Sequence, residues 1–410
     1  MTFPISFRHS FRSLRRLARQ PVFRLLVVLL LVWDSLHIVS LHRHQPGGLH
    51  SAPPPPPNTK RIYITSQHWN TERVLRERWN SALLALVQEL GVANVFVTIY
   101  ESGSWDDTKG ALGELDGALG ELDVKRNVTL SYVTHEDEIK KKPAETGWIE
   151  TPGGKTELRR IPFLADLRNQ GLQPLMDMHS QGQEFDMILF LNDVAFSPED
   201  VLRLLDTNHG EYAAACSLDF SKPPAYYDTF ALRDSDGHET VMQTWPYFRS
   251  HASRYAAERF QPVPVKSCWN GMVAMPAGPF TKNQPLRFRG TPDSLALAHV
   301  EGSECCLIHA DNSLSTTKGV YLNPNVQVSY SRAAYDALHA ENAAMSAFTL
   351  YRSIWKHRIL RWFTTPLLKE WVIDRRLKTW RKESPNNYEP GNYCLINEMQ
   401  ILIGRGWKHV

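Results

Sequence analysis

The chain has 410 residues and a mass of 46.9 kDa, enough for one large α/β domain or two ordinary ones. With 42% apolar and 10% aromatic residues it forms a core, which excludes a disordered chain. The formal charge of +3 conceals an asymmetry: residues 1–24 and 351–382 are strongly basic and the body between them is net acidic. No basic stripe crosses that body, which argues against nucleic acid as a partner.

Residues 1–24 hold six arginines and no acid, and the apolar run Leu25–Trp33, LLVVLLLVW, follows. The run extends to Leu41 only by admitting Asp34 and His37, which is short for a span that needs about 20 residues. Basic residues on the N-terminal side predict a cytosolic tail and a lumenal body. No small-residue cleavage site follows, so residues 25–41 read as an uncleaved signal anchor. An Arg- and Ser-rich start is also the composition of a mitochondrial transit peptide, but the continuous apolar run favours the anchor. Residues 42–60, with Gly47-Gly48 and Pro53–Pro57, read as an extended stem. The folded body is expected from Arg61.

There the pattern alternates. RIYIT (61–65) and VFVTIY (95–100) read as strands flanking an amphipathic helix from Thr71 to Leu90 with Gly91 as its cap. A glycine-weakened helix from about Asp107 contains the tandem heptad GALGELD at 110–116 and 117–123, read as a local duplication without chemical meaning. Asn127-Val128-Thr129, an N-glycosylation acceptor, opens a third strand. Residues 140–155 read as a polar loop, and Ile161 to Leu175 as a helix.

The informative stretch is FDMILFLNDVAFSPED (185–200). Met187 to Leu191 is too short for a helix and reads as a buried central strand. It stops at Asn192-Asp193. Ser197, Pro198 and Asp200 then form a helix start with a capping box. In open α/β sheets ligands bind beyond the carboxyl ends of the strands. A carboxylate there suits a divalent cation carrying a diphosphate. The plainer reading is a turn, because Asn and Asp cap their own backbone. The alternation predicts an α/β fold, a mostly parallel sheet with helices on both faces.

In the second half a strand at 212–220 ends in Asp219, followed by Asp228, then by Trp269-Asn270-Gly271 and by Glu304, His309 and Asp311. Aromatics beside carboxylates and amides suit a sugar, whose ring has apolar faces and hydroxyl edges. Core aromatics with surface acids would give the same composition. His309 either completes a metal site with Asp193 or is an ordinary buried histidine. The five cysteines show no zinc spacing; in an oxidising lumen they allow two disulfides, with Cys305 and Cys306 on separate partners. Cys216 reads as a buried free thiol. Residues 351–382 interleave Trp and basic residues, which suits either a membrane surface or a helix packed on the body.

Taken together, RIYITSQHWNTE, YESGSWDDTKGAL, RIPFLADLRNQGLQPL, FDMILFLNDVAFSPEDVLRLL, YYDTFALRD, SCWNGMVAM, SECCLIHAD and EPGNYCLINEMQ resemble the fungal capsule-associated α-1,3-mannosyltransferases, glycosyltransferase family 69. The resemblance implies a GT-A-like catalytic domain over 61–350 and a C-terminal extension, 351–410, packed on it. It also implies a type II Golgi membrane enzyme that moves mannose from GDP-mannose to a mannoside acceptor with Mn²⁺ or Mg²⁺. The usual metal motif of that fold is Asp-x-Asp, and Leu191-Asn192-Asp193 lacks its first carboxylate. By position, Asp193 would hold the metal with His309 or Asp311 joining, and Asn192 would touch the donor. Ser66, Gln67, Glu101 and Ser102 would hold the nucleotide, Arg168 and Asn169 would approach the diphosphate or mannose, and Trp269, Asn270 and Gly271 would wall the acceptor. An α-linked product from an α-linked donor means retention, through a covalent carboxylate adduct or a same-face departure and attack. Asp228, Glu304 and Asp219 are the candidate carboxylates. Two other classes compete: a lumenal scaffold of the same fold that has lost its chemistry, and a glycoside hydrolase using a carboxylate pair from the same three residues.

Overall fold

The computed structural model describes residues 20–45, 59–340, 344–364 and 367–410. Most of the proposed stem, 46–58, therefore lies outside the described residues. A ten-stranded sheet organises the body. Its principal strands are β1 (Ile62–His68), β2 (Val95–Ser102), β3 (Arg126–Ser131), β4 (Met187–Leu191), β5 (Ala214–Lys222), β6 (Val263–Ser267), β7 (Met272–Pro276) and β8 (Val320–Ser329). They lie in the order β3-β2-β1-β4-β7-β5-β8-β6, with the short strand Arg233–Asp234 at the end. β1 pairs in parallel with β2 and β4, β2 with β3, and β5 with β8. β7 runs antiparallel between β4 and β5, and β6 is antiparallel to β8.

The expected α/β sheet is present, and its central strands are buried on both faces. Met187, Leu189 and Leu191 of β4 point into one core with Ile62 and Ile64; Ile188 and Phe190 point into the other with Tyr63. This is why β4 reads as an unbroken apolar run. The helix after it, Pro198–Leu205, starts with the capping box that the sequence specifies. Ser197 Oγ accepts from the Asp200 amide at 3.3 Å, and Asp200 Oδ2 accepts from the Ser197 amide at 2.8 Å.

Some elements differ from expectation. Residues 148–150, inside the stretch read as a loop, pair with 156–158 just beyond it in a small hairpin. Glu304–Asp311 is a helix, hidden in the sequence because its short span lacks a polar face. Cys216 is not a free thiol: it is bonded to Cys268, and Cys306 to Cys394, leaving Cys305 as the buried thiol. Disulfides of this kind belong to an oxidising compartment. The first helix among the described residues, α1 (Pro21–His44), is long and apolar enough to cross a membrane. It also continues past residue 41, where the stem was expected to begin.

The repeated heptad forms the helix Thr108–Glu121, with Leu112, Leu115 and Leu119 buried. A side chain added at Gly113 or Gly117 would meet nothing within 4 Å, so these two glycines weaken the helix without serving packing. The double substitution Gly113→Ala/Gly117→Ala is expected to stabilise the protein by about 1–2 kcal/mol. A thermal melt checks this; an unchanged or lower Tm would contradict it.

Candidate active site

After β1 the chain turns toward β2, and after β4 it turns the other way, toward β5. The crevice between the carboxyl ends of β1 and β4 is therefore the topological switch point, where open α/β sheets bind ligands. Trp79, just after β1, fixes this edge: its Nε1–H donates to the Asn192 carbonyl at 3.0 Å. Beside it opens a cavity of about 940 Å³ lined by Arg168, Asn192, Asp228, Trp269, Glu304 and Tyr330, among others.

Asp193 stands at the tip of β4, half-buried, and its carboxylate is engaged by its own backbone amide and by no other described residue's donor. Burial pushes its carboxyl above the usual range, opposed by its own backbone amide and by Arg168. A carboxylate in that state, engaged by no donor of another described residue, fits a cation, whose charge would favour the ionised form.

Behind it lies a second carboxylate that is fully engaged. Asp219, at the end of β5 and completely buried, accepts from Asn270 Nδ2 at 2.8 Å, from the Tyr330 hydroxyl at 2.9 Å and from the Asp228 amide at 3.2 Å. Asp228 sits at the cavity wall. Its Oδ1 accepts from the amides of Phe230 and Ala231 at 2.8 and 3.3 Å, while its Oδ2 has no hydrogen-bond partner among the described residues. Its pKa is pushed up to about 7, first by burial and then by the charge of Asp219. Across the cavity, Glu304 accepts from Arg168 Nε at 3.0 Å, and the same guanidinium lies 4.7 Å over the Trp269 ring.

The sequence-predicted residues separate into those at the cavity and those engaged elsewhere. Asn192, Arg168, Trp269, Asp228 and Glu304 line it. Asn169 does not: its amide clamps the Phe288 backbone at both ends, at 2.9 and 3.0 Å. His309 is buried with Nε2 donating to the Cys268 carbonyl at 2.8 Å, and burial lowers its pKa to about 4. Asp311 forms a two-point ion pair with Arg289. Asp193, His309 and Asp311 are all absent from the cavity lining, and among the described residues no group of three potential metal ligands includes Asp193. Asn270 and Gly271 are buried behind the wall and make no acceptor surface. Asn270 holds Asp219, and Gly271 accepts from the Asn192 amide at 3.0 Å.

At the tips of β1 and β2, Ser66 is spent on His68 at 2.7 Å, and Ser102 is buried. Glu101 is buried with its carboxylate on the Ser104 amide and Lys109. Gln67 differs: its Nε2 is buried without a partner, as are Trp69 Nε1, Asn70 Nδ2 and His135 Nδ1. The rings of Trp69 and His135 stack at 4.4 Å, and Trp105 packs edge-on at 4.9 Å. Buried donors left open in one place point to a missing polar ligand or water. Sequence reasoning missed Trp69, Trp105, His135 and Tyr330; the only signal was an aromatic or histidine following a strand end. Asn127 is exposed on the edge strand β3.

The fold is an α/β sheet with a polar cavity near its switch point, and the family match makes the chain a glycosyltransferase. Residues 61–311 match the family cryptococcal mannosyltransferase 1, and the chain belongs to that family. No curated protein matches it in sequence. Among solved structures it is similar to a mannosyltransferase from Pyrobaculum calidifontis in complex with GDP-Man and Mn²⁺, at 10% identity, covering 88% of this chain and 84% of that one, with a TM-score of 0.37. It is also similar to glucosyl-3-phosphoglycerate synthase from Mycobacterium tuberculosis with Mn²⁺, UDP and phosphoglyceric acid, at 12% identity, 74% and 78% coverage, TM-score 0.34. TarS 1–349 of S. aureus matches at 12% identity, 73% and 71% coverage, TM-score 0.34.

Gly271 has φ +90°, and a Cβ there would lie 2.5 Å from Val328 Cγ2 and 3.3 Å from Asp219 Cβ. Gly271→Ala is expected to destabilise the protein by roughly 1–3 kcal/mol. It should also lower activity, because the Asn192 amide hangs on this residue. Denaturant unfolding checks the first effect, and native-like stability would contradict the packing described.

Proposed function

We propose that the protein transfers mannose from GDP-mannose to a mannoside acceptor, with retention and in α-1,3 linkage, as a Golgi enzyme held by α1 with its body in the lumen. The observation that carries this reading is the Asp193 carboxylate, engaged by no donor of another described residue, at the switch point of a chain that belongs to a mannosyltransferase family. The two disulfides and the arginine-rich start support a lumenal body.

In this reading Asp193 holds a divalent cation, Mn²⁺ or Mg²⁺, and Asn192 contacts the donor. The cation, when bound, supplies charge neutralisation to the departing diphosphate. The open donors of Gln67, Asn70 and Trp69 bind the nucleoside, with the stacked aromatics beside them. Arg168, held flat on Trp269 by Glu304, presents positive charge to the diphosphate side of the cavity. Asp228 faces the sugar and stabilises positive charge developing at its anomeric carbon. Asp219 positions Asp228 through its backbone amide, and its charge adds to burial in raising the Asp228 pKa.

The test uses the full chain in detergent with GDP-mannose, UDP-glucose and UDP-galactose, each with Mn²⁺ or EDTA, with and without a mannose oligosaccharide. Nucleotide release is expected from GDP-mannose alone, with metal, and to rise with acceptor. Asp193→Ala should lower it at least about 100-fold, since several kcal/mol of charge stabilisation is lost. Activity within a few-fold of the parent would overturn the metal assignment. Tight GDP binding without release from any donor would favour a scaffold that has lost its chemistry, and mannoside cleavage without a nucleotide sugar would favour a hydrolase.

The pH profile tests Asp228 separately. Its raised pKa leaves it mostly protonated below pH 7 and mostly ionised above. Because the ionised form does the work, kcat should rise through about pH 7. Asp228→Asn should lower kcat by about 100-fold or more and remove that limb. A profile unchanged by the substitution would contradict the role.

A further inference from the structure

Helix α1 is divided along its length. From Pro21 to Trp33 all thirteen residues are exposed, and they include the run Leu25–Trp33. From Asp34 onward a buried stripe begins, Asp34, Ile38 and Leu41, at helical spacing. This lower half packs on the helix Ala347–Phe363, here α2. Two contacts fix the pairing as antiparallel. Gln45 exchanges hydrogen bonds with the Met345 backbone at 2.8 and 2.7 Å. Arg358 Nη1 donates to both oxygens of Asp34 at 2.9 and 2.8 Å.

The geometry has a consequence for depth. The apolar run Leu25–Trp33 in the bare half of α1 is ~14 Å long at 1.5 Å per residue, against about 30 Å of bilayer hydrocarbon. A charged pair at Asp34–Arg358 cannot sit at the bilayer centre without heavy cost. An anchor this short with that pair at its lower end would bring the paired end of α2 to the membrane surface. Beyond Arg358, α2 continues about 7 Å further along the apolar half of α1. That last stretch ends in Ile359, Trp362 and Phe363, which are 49%, 58% and 80% exposed. Trp33 on α1 is 70% exposed at the same level. Exposed aromatics and a nearby Arg361 beside an apolar rod are the composition of an interfacial belt.

We propose that the C-terminal end of α2 is a membrane-docking surface: Ile359, Trp362 and Phe363 lie in the headgroup region of the bilayer that α1 enters. The Asp34–Arg358 pair sets the depth and tilt of the whole body. This rests on the reading of α1 as a membrane anchor given above. Its chemistry is that of a phospholipid surface, with indole and phenyl rings at the headgroup–acyl boundary and arginine toward the phosphates.

The test places a nitroxide label on the full chain in phosphatidylcholine nanodiscs, one site at a time: Leu29→Cys, Phe363→Cys and Asn127→Cys. Collision with oxygen and with a water-soluble nickel chelate reads the depth of each. Position 29 should be buried in lipid, position 127 should be fully open to nickel, and position 363 should be several-fold more protected from nickel than 127. In Arg358→Gln the protection at 363 should fall while that at 29 stays. If 29 is protected but 363 is as open as 127, the anchor stands and the docking surface fails. If 29 itself is open to nickel, the anchor reading fails and takes this inference with it. Spin–spin broadening at 363 that vanishes on dilution with unlabelled chain would assign the surface to a second copy and overturn the proposal.

Discussion

The site hangs on one buried carboxylate. Asp219 has no solvent to stabilise its charge, and it is tolerated because three donors from three separate segments converge on it: Asn270 before β7, Tyr330 after β8 and the amide of Asp228. Each bond pins a segment that also forms part of the cavity wall or its support. Removing any donor would leave a buried charge underpaired, which costs more than an ordinary hydrogen bond is worth. Burial first and then the charge of Asp219 raise the pKa of Asp228, so the packing of the sheet also shapes the chemistry of the site.

Around that carboxylate the sheet supplies the rest. The antiparallel β7 lies between β4 and β5, so the turn Trp269-Asn270-Gly271 arrives beside both Asn192 and Asp219. A positive φ and close contacts on Val328 make glycine the fitting residue at its end. Arg168 comes from a helix on the opposite side of the cavity, and Glu304 and the ring of Trp269 hold it there. Among these acids Asp193 is the one whose carboxylate is engaged by no donor of another described residue, and that distinguishes it as the group free to take a cation.

Much of this was legible in the chain. The apolar run of β4, its polar tip and the Ser197–Asp200 capping box are local signals, set by burial on two faces and by backbone donors within one turn. The acids Asp219, Asp228 and Glu304 were visible as types but not as roles, because roles depend on contacts between residues far apart in sequence. His309 and Asp311 looked like ligands for that same reason. In the fold one is hydrogen-bonded to the Cys268 carbonyl and the other is paired with Arg289. The Cys216–Cys268 and Cys306–Cys394 bonds span 52 and 88 residues, a distance that no spacing rule reaches. Trp69, Trp105 and His135 were missed because their significance is a stack brought together from two loops and a helix start far apart in sequence.

The central claim is that Asp193 holds a divalent cation shared with a nucleoside diphosphate. Free Mn²⁺ gives a sharp electron paramagnetic resonance signal that is lost on binding, so the full chain in detergent can be titrated with Mn²⁺ in the presence and absence of GDP. The account predicts binding that is tightened severalfold by GDP and abolished in Asp193→Ala, while the variant keeps the parent's melting temperature. Mn²⁺ binding that survives in Asp193→Ala, with GDP still tightening it, would contradict the account.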